Sequence, residues 1–146
     1  MNVMINDAVF GEMTYTHRWS KKESFSFFGK NWDITVVAKA FSGNPISDEQ
    51  RASYQWLKEN LAQTDEILYE IVSRYINDNC QQFAVYWSGA RMVNTPSDLA
   101  QIIELKTILI KQDGTLLILS DCPWDEHGIA IQLKPTTEIG PQDMFL

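Results

Sequence analysis

The chain has 146 residues, 45% of them apolar and 12% aromatic, which is enough to bury a core within one domain and too aromatic for disorder. Its formal net charge is −7, and the excess acid comes late: residues 1–46 hold five bases against four acids, 47–80 three against seven, and 81–146 four against eight. Such a surface repels nucleic-acid phosphates and attracts basic proteins, two cysteines are too few for a disulfide framework, and no stretch approaches the roughly 18 apolar residues of a membrane span. The opening Met1–Asp7 lacks the basic and apolar regions of a signal peptide, so a cytoplasmic protein is expected.

Residues 10–19 alternate, with Met13, Tyr15, His17 and Trp19 on one face, and this period of two predicts a half-buried strand. His17 then reads as a half-buried core histidine. Ser20, Lys21 and Lys22 make a turn, and Phe25 and Phe27 share a face of a second strand. Gly29-Lys30-Asn31 is hairpin chemistry, and Trp32, Ile34, Val36 and Ala38 continue as a third strand. The N-terminal third is an antiparallel meander, broken at Ser42-Gly43-Asn44-Pro45.

Ser47 followed by Gln50 is a capping box, with Asp48 and Glu49 at the positive end of the helix dipole. Tyr54, Leu57, Leu61, Thr64, Leu68, Ile71 and Tyr75 then form one apolar stripe at helical spacing. Its unbroken phase predicts one helix of about eight turns, with room for a kink, over residues 48–79. The alternative is a second helix capped by Thr64 after a break near Gln63. Residues 77–96 are irregular apart from the apolar run Phe83–Trp87, and Thr95-Pro96-Ser97-Asp98 starts a short helix ending about Glu104. Residues 107–111 and 115–120 form a hairpin on Asp113-Gly114, with runs apolar on both faces that predict cover on both sides. A loop over Asp121–Gly128, a strand over Ile129–Leu133, and a short strand with an ordered tail over Thr137–Leu146 complete the chain. The predicted architecture is one α+β domain over residues 1–146: an antiparallel sheet of about six or seven strands with a long helix packed on one face.

Asp121, Asp125, Glu126 and His127 concentrate ionisable groups in the predicted loop, where acids beside a histidine suit acid–base work or a divalent metal. The spacing fits neither a zinc-protease helix nor a calcium loop. A polar turn is the simpler expectation, with Trp124 at the core edge and Gly128 at positive φ. The competing expectation is a metal-dependent enzyme or regulator using this loop, with His17 joining His127 in space. Cys122 is followed by Pro123 without an oxyanion-hole pattern, so it and Cys80 read as small structural residues. Ser88-Gly89 lacks the context of a hydrolase elbow, and Gly29-Lys30 lacks that of a P-loop. No catalytic residue, metal site or cofactor is expected. An exposed Trp124 or Trp87 would anchor an interface.

Trp124-Asp125-Glu126-His127-Gly128 and Ile139-Gly140-Pro141-Gln142-Asp143, with Phe10-Gly11, Phe27-Phe28-Gly29-Lys30 and Ile46–Gln50, resemble a family of small uncharacterised bacterial proteins. Residues 81–96 lie outside the resemblance, and the Asp125-Glu126-His127 stretch is one residue shorter than in some relatives. The resemblance implies no enzymatic activity. It implies company with secreted toxin modules, as a candidate immunity protein. The expected function is therefore a cytoplasmic immunity protein that binds and neutralises a cognate basic, nuclease-type toxin. The expected contacts are Glu59, Asp65, Glu66 and Glu70 on the helix and Asp121, Trp124, Asp125, Glu126 and His127 in the loop.

Overall fold

Eight strands form one sheet in chain order in the computed structural model, which describes residues 3–40 and 44–146. The first four are β1 (Val3–Asp7), β2 (Gly11–Tyr15), β3 (Trp19–Phe27) and β4 (Lys30–Ala38), an antiparallel meander as expected, to which β1 adds a strand that was not predicted. The predicted strand over residues 10–19 is interrupted. Tyr15 pairs with Trp19, and Thr16–Arg18 turn between them. A three-residue turn preserves the parity of alternation, so Met13 and Trp19 still face the core. His17 is carried out into solvent, not half-buried as expected.

The predicted turn at Ser20–Lys22 is strand. Lys21 and Glu23 continue the inward face of Trp19, Phe25 and Phe27, placing two charges beneath the helices. The next hairpin turns one residue earlier than expected, at Phe28 (φ 59°) and Gly29 (φ 71°). Two positive φ values in succession match the twist of the flanking strands. Phe28 bears the conformation although it is not glycine, and its amide donates to Asp65 Oδ1 at 2.9 Å.

Residues between β4 and β5 cross over the sheet as α1 (Asp48–Glu59), α2 (Leu61–Asp78), α3 (Cys80–Phe83) and α4 (Pro96–Ile102). The Ser47 capping box is present: Ser47 Oγ accepts from the Gln50 amide at 3.1 Å, and Gln50 Oε1 accepts from the Ser47 amide at 2.9 Å. Buried Gln50 also donates to the carbonyls of Lys39 and Ile110, fastening the helix start to adjacent strands. Ser42 and Gly43 of the predicted break lie outside the described residues.

The single long helix is not observed. Asn60 leaves helical geometry (φ −127°, ψ 36°), and its side-chain amide donates to the Trp56 carbonyl at 2.8 Å, capping the end of α1. Asparagine competes well for such carbonyls, and the stripe keeps its phase across the break. Thr64 lies within α2, not at its cap, and its hydroxyl is buried without a hydrogen-bond partner. Tyr54, Leu57, Leu68 and Ile76 are among the side chains buried against the sheet, each contributing roughly 1.5–3 kcal/mol by burial. A second capping box, Thr95 with Asp98, starts α4.

β5 (Glu104–Ile110) runs parallel to β4, from Thr35 opposite Thr107 to Ala38 opposite Ile110. β6 (Leu116–Cys122), β7 (Asp125–Lys134) and β8 (Glu138–Pro141) continue antiparallel, and Gln142–Met144 add a 3-10 turn. The main core lies between the sheet and the helices. On the other face Val37, Leu109 and Leu117 pack together with Leu119 and Phe145, so the second layer over these strands is the C-terminal tail. The fold is α+β as expected, but the sheet is mixed and not wholly antiparallel, because the helical crossover returns β5 parallel to β4, and it has eight strands in place of six or seven.

Candidate protein-contact site

The predicted loop over Asp121–Gly128 is mostly strand. β6 runs to Cys122, β7 starts at Asp125, and Pro123-Trp124 make the turn. The pairing slips between Ser120 and Cys122: Ser120 stands opposite Ile129 and Cys122 opposite Asp125, leaving Glu126, His127 and Gly128 bulged against Asp121. Gly128 makes the bulge possible. Its φ is +79°, and a Cβ there would stand 2.3 Å from the Ser120 carbonyl oxygen. Asp125 Oδ1 accepts from the His127 amide at 2.9 Å, which fixes the polar side of the bulge.

Trp124 packs at the core edge, as the simpler expectation had it, and at 7% exposure it is no exposed anchor for a partner. Its ring stacks on Phe83 at 4.4 Å and meets Trp87 at 5.7 Å and Tyr75 at 6.4 Å. Trp87 is buried in the same group. What this packing leaves outside is Tyr86, 77% exposed, and Val85, 75% exposed. Tyr86 lines a cavity of about 600 Å³ with Asp125, Glu126 and His127. Asp121 is exposed in the neighbouring cavity, which shares Cys122 and Pro123, and its carboxylate lies 3.9 Å from Lys106. Glu126 is 87% exposed at its side chain, and His127 Nε2 lies 3.5 Å from its carboxylate.

The acids predicted on the helices do not join this cluster. Glu59 borders a different cavity, against the β1–β2 turn. Asp65 is half-buried and clamps the Phe28 amide, so its carboxylate is already engaged. Glu66 is exposed, and Glu70 pairs loosely with Arg74 at 3.7 Å. Burial pushes the Cys122 thiol up to about 11, which keeps it protonated at neutral pH and withholds the thiolate a nucleophile needs. Both cysteines are free thiols. His17 and His127 line separate cavities, and among the described residues no three His, Cys, Asp or Glu side chains are placed to hold a metal.

A second charged group, absent from the expectations above, lies under α1. Glu23 takes hydrogen bonds from Tyr54 and Lys58 and an ion pair from Lys21 at 2.8 Å. Burial raises the Glu23 carboxyl, but these hydrogen bonds outweigh it and the net shift is downward. Tyr54 moves the other way, held protonated by burial and by Glu23. Nearby, Asp7 is raised by burial, yet Arg51 and the amides of Val9 and Phe10 bring it below its ordinary value. The signal for this group was the in-phase run Trp19, Lys21, Glu23, Phe25, Phe27.

An α+β fold with acids closed off under one helix and acids open at a hairpin end describes a class of architecture. The chain belongs to the family described as Domain of unknown function (DUF6985), whose model matches residues 9–146. Comparison with the curated proteins and with the solved structures gave no significant match. Among the described residues no helix is long and apolar enough to cross a membrane.

Proposed function

We propose that this chain is an immunity-type binding protein that captures and neutralises a basic, nuclease-type toxin through the β6–β7 end of its sheet. The observation that supports it is the exposed Tyr86 set among Asp125, Glu126 and His127. An exposed aromatic ring supplies binding area at little conformational cost, and open carboxylates around it steer a cationic partner. The net charge of −7 extends that attraction beyond contact range. Trp124 serves from beneath, holding the hairpin that presents the acids.

The test pairs the purified chain with the protein encoded beside it, by calorimetry and by protection of cells that express that neighbour. Binding and protection are expected, with Tyr86→Ala weakening the complex by roughly 30-fold, the scale of an interface hot spot. Neither binding nor protection, with the chain folded, overturns the reading.

A further inference from the structure

Val85 and Tyr86, at 75% and 77%, are the most exposed large apolar side chains among the described residues. The ring pairs at this end of the sheet join Tyr75, Phe83, Trp87 and Trp124 and leave out Tyr86. An aromatic ring that the core does not use thus borders a cavity with two carboxylates, Asp125 and Glu126. We propose that this cavity takes an arginine side chain of the basic partner, its guanidinium flat on the Tyr86 ring and its charge met by Asp125 and Glu126. This rests on the toxin-binding reading above and specifies what the partner inserts.

The ring is mounted before any partner arrives. The Tyr86 amide donates to the Phe83 carbonyl at 3.0 Å, and Phe83 and Trp87, on either side of it in the chain, are both held against Trp124. The acids keep their charge for a partner. Asp125 gives one oxygen to a neutral donor, the His127 amide at 2.9 Å, and Glu126 is 87% exposed, with His127 no nearer than 3.5 Å. No lysine or arginine lines the cavity. A filled version of the same arrangement lies under α1. There Lys21 Nζ stands 4.8 Å from the centre of the Tyr54 ring while paired with Glu23 at 2.8 Å. At Tyr86 the ring and the carboxylates are present, and the chain supplies no cation of its own. The choice of arginine follows from hydration and shape. A guanidinium is planar and weakly hydrated, so it stacks on a ring while its edge still pairs with a carboxylate. An ammonium is compact, holds its water more tightly and gains less from the ring.

The experiment titrates the full chain with N-acetylarginine methylamide and with its lysine and citrulline counterparts, reading backbone amide shifts. Citrulline keeps the shape of arginine without the charge. Saturable binding of the arginine probe is expected, with shifts at Tyr86, Asp125 and Glu126, and with the lysine probe about three- to fivefold weaker and citrulline weaker still. Tyr86→Leu should abolish the preference for arginine over lysine, and Tyr86→Phe, which keeps a ring, should retain it. Asp125→Asn with Glu126→Gln should weaken both cationic probes alike. Tyr86 and Glu126 are exposed, so these variants are expected to fold, and the comparison of probes on the wild-type chain needs no variant. Any of four results overturns the proposal: no saturation by about 100 mM, equal binding of the lysine probe, equal binding of citrulline, or a preference that survives Tyr86→Leu. The two readings fail separately. A chain that protects against its neighbour without preferring arginine holds its toxin by other chemistry. A chain that prefers arginine here but neither binds nor protects keeps the pocket and loses the toxin.

Discussion

Beneath α1, Glu23 is met by Lys21, Lys58 and Tyr54 and is 18% exposed, whereas at the β6–β7 end Glu126 is 87% exposed and has His127 as its recorded partner. Both regions carry acids, and the presence of a carboxylate alone does not separate them. Engagement does. In the first, hydrogen bonds consume the acid's acceptor capacity and fix helix to sheet, so the charge belongs to stability. In the second, a backbone bulge fixes the chain while the side chains stay solvated, so the charge is available to a partner. A patch is therefore read from what its side chains already bind, and the sum of its charges is a poor guide.

The largest expected effect lies under the open region, because its floor is as closed as the α1 network. Trp124→Ala removes a ring stacked on Phe83 and packed on Trp87 and Tyr75. A loss of about 3–5 kcal/mol is expected in urea denaturation, as for large aromatic truncations in cores. A loss below about 1 kcal/mol would mean that Trp124 is not held as the packing shows, and the division between closed floor and open rim would fail.

Glu23→Gln comes next. It leaves Lys21 and Lys58 without their anion in a half-buried site, at an expected cost of about 2–4 kcal/mol. The pH dependence carries the same comparison. Glu23 and Asp7 both have folded values below their ordinary 4.5 and 3.8. A depressed carboxyl stabilises the fold above its unfolded value and loses that contribution as pH falls through its folded value. Stability should therefore be level near neutral pH and fall below about 4.5, and the fall should be shallower in Glu23→Gln. Parallel urea midpoints for wild type and variant between neutral and acid pH decide this.

What was legible in the sequence was local. The Ser47–Gln50 box, the helix start at Thr95–Asp98 and the Asp113-Gly114 hairpin each depend on residues a few positions apart, and all are present. What was not legible depended on parity or on distant partners. The turn at Thr16–Arg18 keeps the alternation in phase, so the pattern could not show it. The break at Asn60 leaves the helical stripe in phase for the same reason. The site suffered most. The sequence placed Trp124 at the core edge, but the rings that bury it there, Phe83 and Trp87, lie far along the chain and could not be read from the local pattern. The exposure of Tyr86 follows from that same competition, since the neighbouring Trp87 takes the inner position. The acids of the hairpin were visible in composition. Which of the predicted contact acids would remain unengaged was not, as Asp65 on α2 shows by clamping the Phe28 amide.

The smallest expected stability effect is also the sharpest test of the open region. Asp125→Asn with Glu126→Gln removes two charges while preserving shape. Asp125 keeps an acceptor for the His127 amide as asparagine, and Glu126 is largely solvated. Unfolding free energy should change by no more than about 0.5 kcal/mol, as for surface substitutions. If these acids steer a cationic partner, association should slow and its dependence on salt should flatten, while dissociation changes little, because steering acts on encounter before contacts form. Stopped-flow association at several salt concentrations separates the two. A variant that loses stability as Glu23→Gln does would show the hairpin acids to be engaged after all. A variant that retains the wild-type rate and salt slope would place the partner elsewhere on the molecule.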